Sequence, residues 1–206
     1  MRSASTSATS STDGTAKMTL VAAPEDPEFR TRFVTAVAVG GSFAGVLLAG
    51  AALVRFGVTA HGGLWAVAET FLVLLACIDL ATRRVPNRLT VPAAVAVVVL
   101  RAAFVPSSLP EALGAGVAAF AFFLLVAVLT RGGMGMGDVK LAALIGLLLG
   151  TEALAALIVG ILAGGLASLV VLLARRGERG YAIAYAPYLC LGAAIGILAF
   201  NPHALV

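Results

Sequence analysis

Two aspartates stand at the boundaries of apolar segments in this chain. Asp79 closes the segment 64–80, and Asp138 opens the segment 138–150. Each has an ordinary explanation when taken alone: Asp138 as a carboxylate at a helix start, and Asp79 as a partner of Arg83, four residues further on. Together, two close carboxylates can share one proton, so that one serves as acid and the other as base. Such a pair activates water against a peptide bond without a metal or a covalent nucleophile.

A glycine-rich stretch, GGMGMG at 132–137, leads into Asp138. Because glycine has no side chain, this stretch predicts a strip along which a substrate backbone can lie close to the aspartate. Backbone hydrogen bonds would hold such a substrate extended. The glycines also leave the loop free to bring Asp138 toward its partner. Gly135 and Gly137, which are nearest to the carboxylate, are the candidates for these roles.

The composition predicts that the bilayer is the solvent of this chain. Of 206 residues, 61% are hydrophobic and 12% are charged, and the mean hydropathy is +1.05. A soluble domain of this size could not bury so much apolar surface. The net charge of +4 is assigned to loops that fix orientation, so no nucleic-acid partner is predicted.

The cysteines and other polar residues give no sign of a metal or a cofactor. Cys77 and Cys190 lie inside apolar runs and form no CxxC motif, so neither a zinc site nor a disulfide framework is predicted. The sequence also lacks a cluster of metal ligands. We expect chemistry that needs no cofactor.

The elements that must position the aspartates are seven apolar segments. They predict an all-α, polytopic membrane protein with about seven transmembrane helices. The polar residues 1–31 are predicted to form a disordered cytoplasmic tail and do not resemble a cleavable signal peptide. The first helix is expected over 33–56. The segments are 33–54, 64–80, 90–105, 112–130, 138–150, 153–174 and 185–200.

Some of these segments carry further information about packing. The third, fifth and seventh are short for a span of about 20 residues, so they must borrow flanking residues or lie in a region lined by protein. Glycines four residues apart predict close helix contacts. These pairs are Gly41/Gly45, Gly146/Gly150, Gly160/Gly164 and Gly192/Gly196.

The basic residues predict the orientation of the helices. With a cytoplasmic amino terminus and seven alternating helices, twelve of the fourteen basic residues fall on the cytoplasmic side. Both aspartates then lie at that side as well. The twelve are Arg2, Lys17, Arg30, Arg32, Arg83, Arg84, Arg88, Arg131, Lys140, Arg175, Arg176 and Arg179.

Three motifs resemble those of the type IV prepilin peptidases, which are membrane aspartic proteases of the GxGD type. They are IDLATRRVPNRLT at 78–90, GMGDVKLAALIGLLLG at 135–150 and YAPYLCLGAAIG at 185–196. The resemblance implies that Asp79 and Asp138 are the catalytic pair of an aspartic endopeptidase. It also implies a six-helix core over 64–200, to which the first helix is an addition. The implied substrate is a pilin-like precursor, cleaved at the cytoplasmic boundary of the inner membrane.

Five further residues of these motifs are assigned to substrate binding or to the loops around the site. Pro86 and Asn87 are expected to form the turn before the third helix. Pro187 is expected to kink or start the last helix, with Tyr188 as a wall of the site. Lys140 lies off the helix face of Asp138 and is expected to act on its charge through space or to bind a lipid phosphate.

The chain departs from the longer members of that family. Those carry a cytoplasmic domain with paired CxxC motifs and an N-methyltransferase activity, whereas this sequence has no CxxC motif. It therefore resembles the short, peptidase-only form found in Flp/Tad pilus systems.

The sequence leaves two other hypotheses for the aspartates open. The aspartates would also suit a small transporter or channel that binds a cation or relays protons, or a presenilin-type protease that cuts inside a helix. A transporter would predict inverted repeats and broken helices near mid-membrane.

Glu69 and Arg101, near the outer ends of consecutive helices, are predicted to form a structural ion pair.

Overall fold

The computed structural model describes residues 27–130, 134–174 and 184–200, and this part of the chain is helical without any strand. The predicted all-α class is confirmed. Two short 3-10 turns, Pro106–Ser108 and Gly150–Glu152, connect neighbouring helices. The α-helices in these ranges are α1 (Pro27–Phe56), α2 (Ala60–Thr82), α3 (Asn87–Phe104), α4 (Leu109–Leu129), α5 (Met136–Leu149), α6 (Ala153–Ala174) and α7 (Ala186–Phe200).

The protein is a multi-pass membrane protein. Within the described ranges, five stretches are long and apolar enough to cross a bilayer, and the last of them contains both α5 and α6. The apolar part of α7 is shorter. Large apolar side chains point outward, as at Val54 and Val117, which is the pattern of a lipid-facing surface. The five stretches are Thr31–Phe56, Ala60–Thr82, Asn87–Phe104, Pro106–Leu129 and Met136–Leu173.

The first helix starts earlier than the sequence predicts. α1 begins at Pro27, so residues 27–31, assigned above to the polar tail, belong to the helix. Proline suits a first helical position because its missing N–H is not needed there. Glu28 lies in the first turn, where a negative charge stabilises the helix by interacting with the positive end of its dipole. The rest of the predicted tail lies outside the described residues. So do Gly132 and Gly133 of the glycine-rich stretch.

Three pairs of helices that follow one another in the sequence pack in opposite directions. Gly41 of α1 faces Cys77 of α2, whereas Gly45, further along α1, faces Thr70, which lies earlier in α2. α1 and α2 are therefore antiparallel. The same pattern relates α4 to α5 and α6 to α7. It is seen in the pairs Glu111–Gly150, Gly116–Gly146, Gly160–Leu189 and Gly164–Tyr185.

One end of the bundle gathers the elements that carry the aspartates. Asn87 at the start of α3 contacts Lys140 at the start of α5, and Arg101 near the end of α3 contacts Leu148 near the end of α5. α3 and α5 are thus parallel. α2 ends, and α3, α5 and α7 begin, at the same end of the bundle, which we call the aspartate end.

Glycine allows the helix pairs to approach closely, as its spacing predicts. A Cβ at Gly146 would lie 2.7 Å from the Ala115 carbonyl oxygen of α4, and one at Gly160 would lie 2.9 Å from the Tyr188 carbonyl oxygen. Gly196 packs on Leu149 in a similar way. Each of the four predicted glycine pairs lies at a helix contact, although Gly150 sits at a turn with φ +63°.

α5 is the central helix. Its side chains are buried around most of its circumference, including Val139, Leu141, Ile145 and Leu149. At about 1.5 Å per residue, its 14 residues measure about 21 Å, less than the hydrocarbon thickness of about 30 Å. Because other helices surround it, α5 does not need the length of a lipid-exposed helix. This confirms that the short fifth segment lies in a region lined by protein.

Candidate active site

Asp138 lies in the first turn of α5 and closes that turn. Gly135 is the residue before the helix, and its carbonyl accepts the Asp138 N–H at 3.1 Å. The carboxylate of Asp138 reaches back to the Gly135 backbone amide. This is half of a capping box, in which the third helical residue satisfies the amide of the capping residue. The interpretation of Asp138 as a carboxylate at a helix start is therefore correct. This position holds the carboxylate at the aspartate end.

Asp79 lies in the last turn of α2 and is buried, with 4% of its surface exposed. Its carboxylate accepts a hydrogen bond from the backbone amide of Ala186, the first residue of α7. Oδ2 has no hydrogen-bond partner among the described residues. Asp79 thus caps a different helix from its own and keeps one carboxylate oxygen without a bond to the rest of the described protein.

The two carboxylates are brought together by three helix ends. The charge of Asp79 acts on Asp138, and the thiol of Cys190 in α7 lies within range of both charges. Two carboxylates that interact in a largely buried place cannot both ionise cheaply, so the pair is suited to hold one proton between them. The structure therefore places the two carboxylates close enough to interact, and their roles as acid and base stay a prediction.

The glycines before Asp138 are explained in part by packing. A Cβ at Gly137 would lie 2.9 Å from Cβ of Val85 and 3.3 Å from the Val85 backbone nitrogen. Gly137 therefore lets the start of α5 press against the connection between α2 and α3. Gly135 has an extended backbone and is exposed, so it remains the candidate for contact with a substrate backbone.

The predicted loop residues of the first two motifs also meet at this end. Pro86 is the capping residue of α3 and Asn87 its first residue, so the predicted turn ends at Pro86 and Asn87 already belongs to the helix. Lys140 Nζ donates a hydrogen bond to Asn87 Oδ1 at 3.0 Å. This bond ties α3 to α5 next to the aspartates.

The last motif forms the start of α7, at the aspartate end. Pro187 is the second residue of α7, so it starts that helix and does not kink it. The ring of Tyr188 lies 6.4 Å from the ring of Tyr185, between their centroids. The predicted position of Tyr188 as a wall of the site stays a prediction, because no contact with either aspartate is seen.

Tyr185 is a site residue that the sequence analysis missed. Burial, and then the nearby negative charge of Asp138, raises the pKa of the Tyr185 hydroxyl above its usual value. Its hydroxyl points to the Ile161 carbonyl at 3.4 Å, and its ring covers Gly164. The available signal was its place in the YAPY motif, three residues before Tyr188.

The predicted ion pair between Glu69 and Arg101 is wrong. Arg101 donates from Nε to the Leu147 carbonyl at 3.1 Å, from Nη2 to the Leu148 carbonyl at 2.9 Å and from Nη1 to the Ser108 hydroxyl at 2.8 Å. The guanidinium therefore caps the carboxyl end of α5. Glu69 is fully buried, and neither of its carboxylate oxygens has a hydrogen-bond partner in the described ranges.

No group of three or more His, Cys, Asp or Glu side chains that could hold a metal ion occurs among the described residues. The polar groups of the aspartate end are instead the two carboxylates, backbone amides, an amide side chain and cations. Basic residues at this end include Arg83 and Arg84 between α2 and α3, Arg88 in the first turn of α3, and Lys140 in α5.

Comparison with known families assigns most of the helical core to one of them. Residues 66–174 match the description "Type IV leader peptidase family". The chain belongs to the type IV leader peptidase family. The matched range contains both aspartates of the site, whereas α1 and α7 lie outside it.

A curated relative agrees with this family. The chain is 31% identical over 153 residues to the "Prepilin leader peptidase/N-methyltransferase" of Bacillus subtilis (strain 168). The similar region covers 72% of this chain and 60% of the length of that relative. No solved structure matches the chain.

Proposed function

We propose that the protein is an aspartic endopeptidase that removes the leader from pilin-like precursors, with Asp79 and Asp138 as its catalytic pair. The observation that carries the proposal is the convergence of two carboxylates at one end of a membrane bundle, on the facing ends of α2 and α5. Membership of the leader peptidase family supports the same activity.

The pair would act as one acid–base unit. The ionised carboxylate takes a proton from water, and the water oxygen attacks the carbonyl carbon of the scissile peptide bond. The protonated carboxyl of the partner gives its proton to the amide nitrogen, and the C–N bond breaks. Each cleavage therefore consumes one water, and the proton held by the pair is transferred and replaced. No cofactor takes part in this scheme.

The surroundings of the pair support binding of an extended backbone. The exposed Gly135 lies next to Asp138, where a carboxylate and open backbone groups can contact substrate. A tyrosine hydroxyl is ordinarily neutral at pH 7, since its usual pKa is about 10, and burial and Asp138 raise the pKa of Tyr185 further. It thus adds no second negative charge beside Asp138.

The positions of the charges favour the cytoplasmic side of the inner membrane for this reaction. Basic residues of cytoplasmic loops are the main determinants of membrane orientation. At the aspartate end, Arg83 and Arg84 lie in the connection from α2 to α3, and Arg88 lies in the first turn of α3. This supports an amino terminus in the cytoplasm and a cut at the cytoplasmic membrane boundary.

The location of the aspartates favours a peptidase over a transporter. Both lie at helix ends on one side of the bundle, whereas a transporter of the repeat type holds its ion sites near mid-membrane at broken helices. α2 continues without interruption from Ala60 to Thr82. The helix around Asp79 is therefore not of the broken kind.

The direct test is cleavage of a purified precursor by Asp79→Asn and Asp138→Asn variants in detergent. Asparagine keeps the shape and the acceptor oxygen but cannot ionise, so each variant should lose cleavage while it still folds. The double variant should be no worse than either single one, because either loss removes the whole unit. The wild-type rate should fall at both low and high pH, because the pair needs one carboxyl protonated and one ionised.

Substantial cleavage by either variant, with the amounts of folded protein matched, would contradict the two-aspartate mechanism. Failure of the wild-type protein to cleave any pilin-like precursor would contradict the proposed activity itself.

A further inference from the structure

An apolar groove lies between α1, α2 and α7 on the surface of the bundle. Its volume is about 360 Å³, and its lining is made of apolar and small residues together with the thiols of Cys77 and Cys190. That volume is near the lower limit of about 300 Å³ for ligand pockets. The groove is thus wide enough for side chains from one face of a partner helix, and too small to enclose a whole helix.

One end of the groove lies beside Asp79, although neither aspartate is among the residues that line it. Leu80 and Pro187 line it, and they directly follow the two residues joined by the hydrogen bond between the Asp79 carboxylate and the Ala186 amide. From there the groove follows α1 from Ala36 to Leu48, which is about 18 Å at the helix rise of about 1.5 Å per residue. A partner in the groove would therefore run from the aspartate end of the bundle toward the middle of the membrane.

The α1 side of the groove has the surface that helix contacts need. Ala36, Gly40 and Ala44 follow one another at four-residue spacing and line the groove. A Cβ at Gly40 would meet nothing within 4 Å, whereas one at the adjacent Gly41 would collide with the Cys77 thiol. Small residues at this spacing let a second helix approach closely. In this chain the glycine pairs of α5, α6 and α7 are covered by helices, but Gly40 is left open.

We infer that this groove binds the apolar helix of the precursor and so sets the cleavage site beside the aspartates. The inference rests on the proposed peptidase function and adds where the substrate binds. A lipid acyl chain has no need of a strip of small residues, since a flexible chain adapts to larger side chains. Because α1 lies outside the range that matches the family, one wall of this site is an addition to the matched region.

The test compares two glycines of α1 that both face open space. A Cβ at Gly40 or at Gly50 would meet nothing within 4 Å, but only Gly40 lines the groove. Gly40→Leu places an apolar side chain at the groove from a position whose Cβ meets no neighbouring atom, and Gly50→Leu is the matched control. We expect Gly40→Leu to raise the KM for a full-length precursor about tenfold, equivalent to about 1.4 kcal/mol. Gly50→Leu should leave the KM unchanged.

A binding measurement makes the test independent of turnover. A precursor with a photoreactive residue in its apolar helix is irradiated with the Asp138→Asn protein in liposomes, and the adducts are mapped by mass spectrometry. We expect adducts within 36–48 of α1, reduced about tenfold by Gly40→Leu and not by Gly50→Leu. The adducts in the protein with intact glycines decide the matter even if Gly40→Leu does not fold.

Three results would contradict binding of the precursor in this groove. They are adducts confined to other helices, adducts with lipid alone, or a Gly40→Leu protein that binds and cleaves the precursor like wild type. In each case, continued cleavage by the wild-type protein leaves the proposed peptidase function standing. If the wild-type protein cleaves no precursor and forms no adduct, both proposals fail.

Discussion

At the scale of single residues, both aspartates have a structural task beside their proposed chemical one. Asp138 satisfies the Gly135 amide at the start of α5, and Asp79 satisfies the Ala186 amide at the start of α7. The first amides of a helix have no partner within it. The same carboxylates therefore hold two helix starts at the place where they meet, and variants must be chosen to separate the two tasks.

Asp79→Ala and Asp79→Asn should differ in stability although both should be inactive. The asparagine side chain keeps an oxygen that accepts the Ala186 amide, whereas alanine leaves that amide without a partner. Loss of a helix cap costs about 1 kcal/mol, so Asp79→Ala should unfold at a lower temperature than Asp79→Asn in the same detergent. Equal unfolding temperatures would show that the bond to Ala186 contributes nothing to stability.

Arg101 and Glu69 should behave as independent residues. Arg101→Met removes three hydrogen bonds and uncovers the end of α5, so we expect a loss of about 3 kcal/mol in unfolding free energy. Glu69→Met replaces a buried carboxyl that has no hydrogen-bond partner in the described ranges and should be neutral or stabilising. Thermal unfolding of both single variants and of the double variant measures this.

The effects of those two substitutions should add, because the residues share no bond. If the double variant is clearly more stable than the sum of the two single effects predicts, the residues interact. That result would support the ion pair predicted from the sequence.

These residues show what the sequence could and could not predict. Asp79 and Asp138 were identified because a carboxylate at the edge of an apolar segment is costly and therefore rare. Arg101 was given the wrong partner because counting along a helix gives depth but not direction around its axis. The contact between Gly137 and Val85 was likewise missed, since it depends on how two connections cross in space.

At the scale of helices, hydropathy predicted the number and approximate bounds of the elements. The segment 153–174 coincides with α6, and 185–200 differs from α7 by one residue. Hydropathy does not report which helix is central, because lipid and protein are equally apolar surroundings. The burial of α5 had only its short length as a signal.

The glycine contacts between helices should be sensitive to a single methyl group. Gly160→Ala places a Cβ 2.9 Å from the Tyr188 carbonyl oxygen and 3.0 Å from the Leu189 Cα, so α6 and α7 must move apart. Gly165→Ala, on the same helix, meets nothing within 4 Å and is the control. We expect Gly160→Ala to lower the unfolding temperature and the yield of folded protein, and Gly165→Ala to leave both unchanged or raise them.

The result that would contradict this packing is equal stability of the Gly160→Ala and Gly165→Ala proteins. Because Tyr185 covers Gly164 one turn away, a shift of α7 should also lower the cleavage rate in the Gly160→Ala protein that remains folded.

At the scale of the whole molecule, the distribution of basic residues between the two ends of the bundle fits the alternating directions of the helices. The described helices alternate in direction, and Arg83, Arg84, Arg88 and Lys140 all lie at the aspartate end. The opposite end carries Arg55 at the end of α1 and the carboxylate of Glu111, which accepts bonds from Thr151. The difference in basic residues between the two ends favours a cytoplasmic aspartate end.

The orientation can be tested with one cysteine at each end of the bundle. Thr82 ends α2 beside Asp79, and Ser107 lies in the turn between α3 and α4 at the opposite end; both side chains are exposed. In a background that lacks Cys77 and Cys190, Ser107→Cys should react with a membrane-impermeant maleimide in intact cells. Thr82→Cys should react only after the membrane is opened, which also controls for its accessibility. The reverse pattern would place the aspartates outside the cytoplasm, where a leader that precedes the translocated part of a precursor cannot reach them, and the proposed peptidase function would then fail together with the orientation.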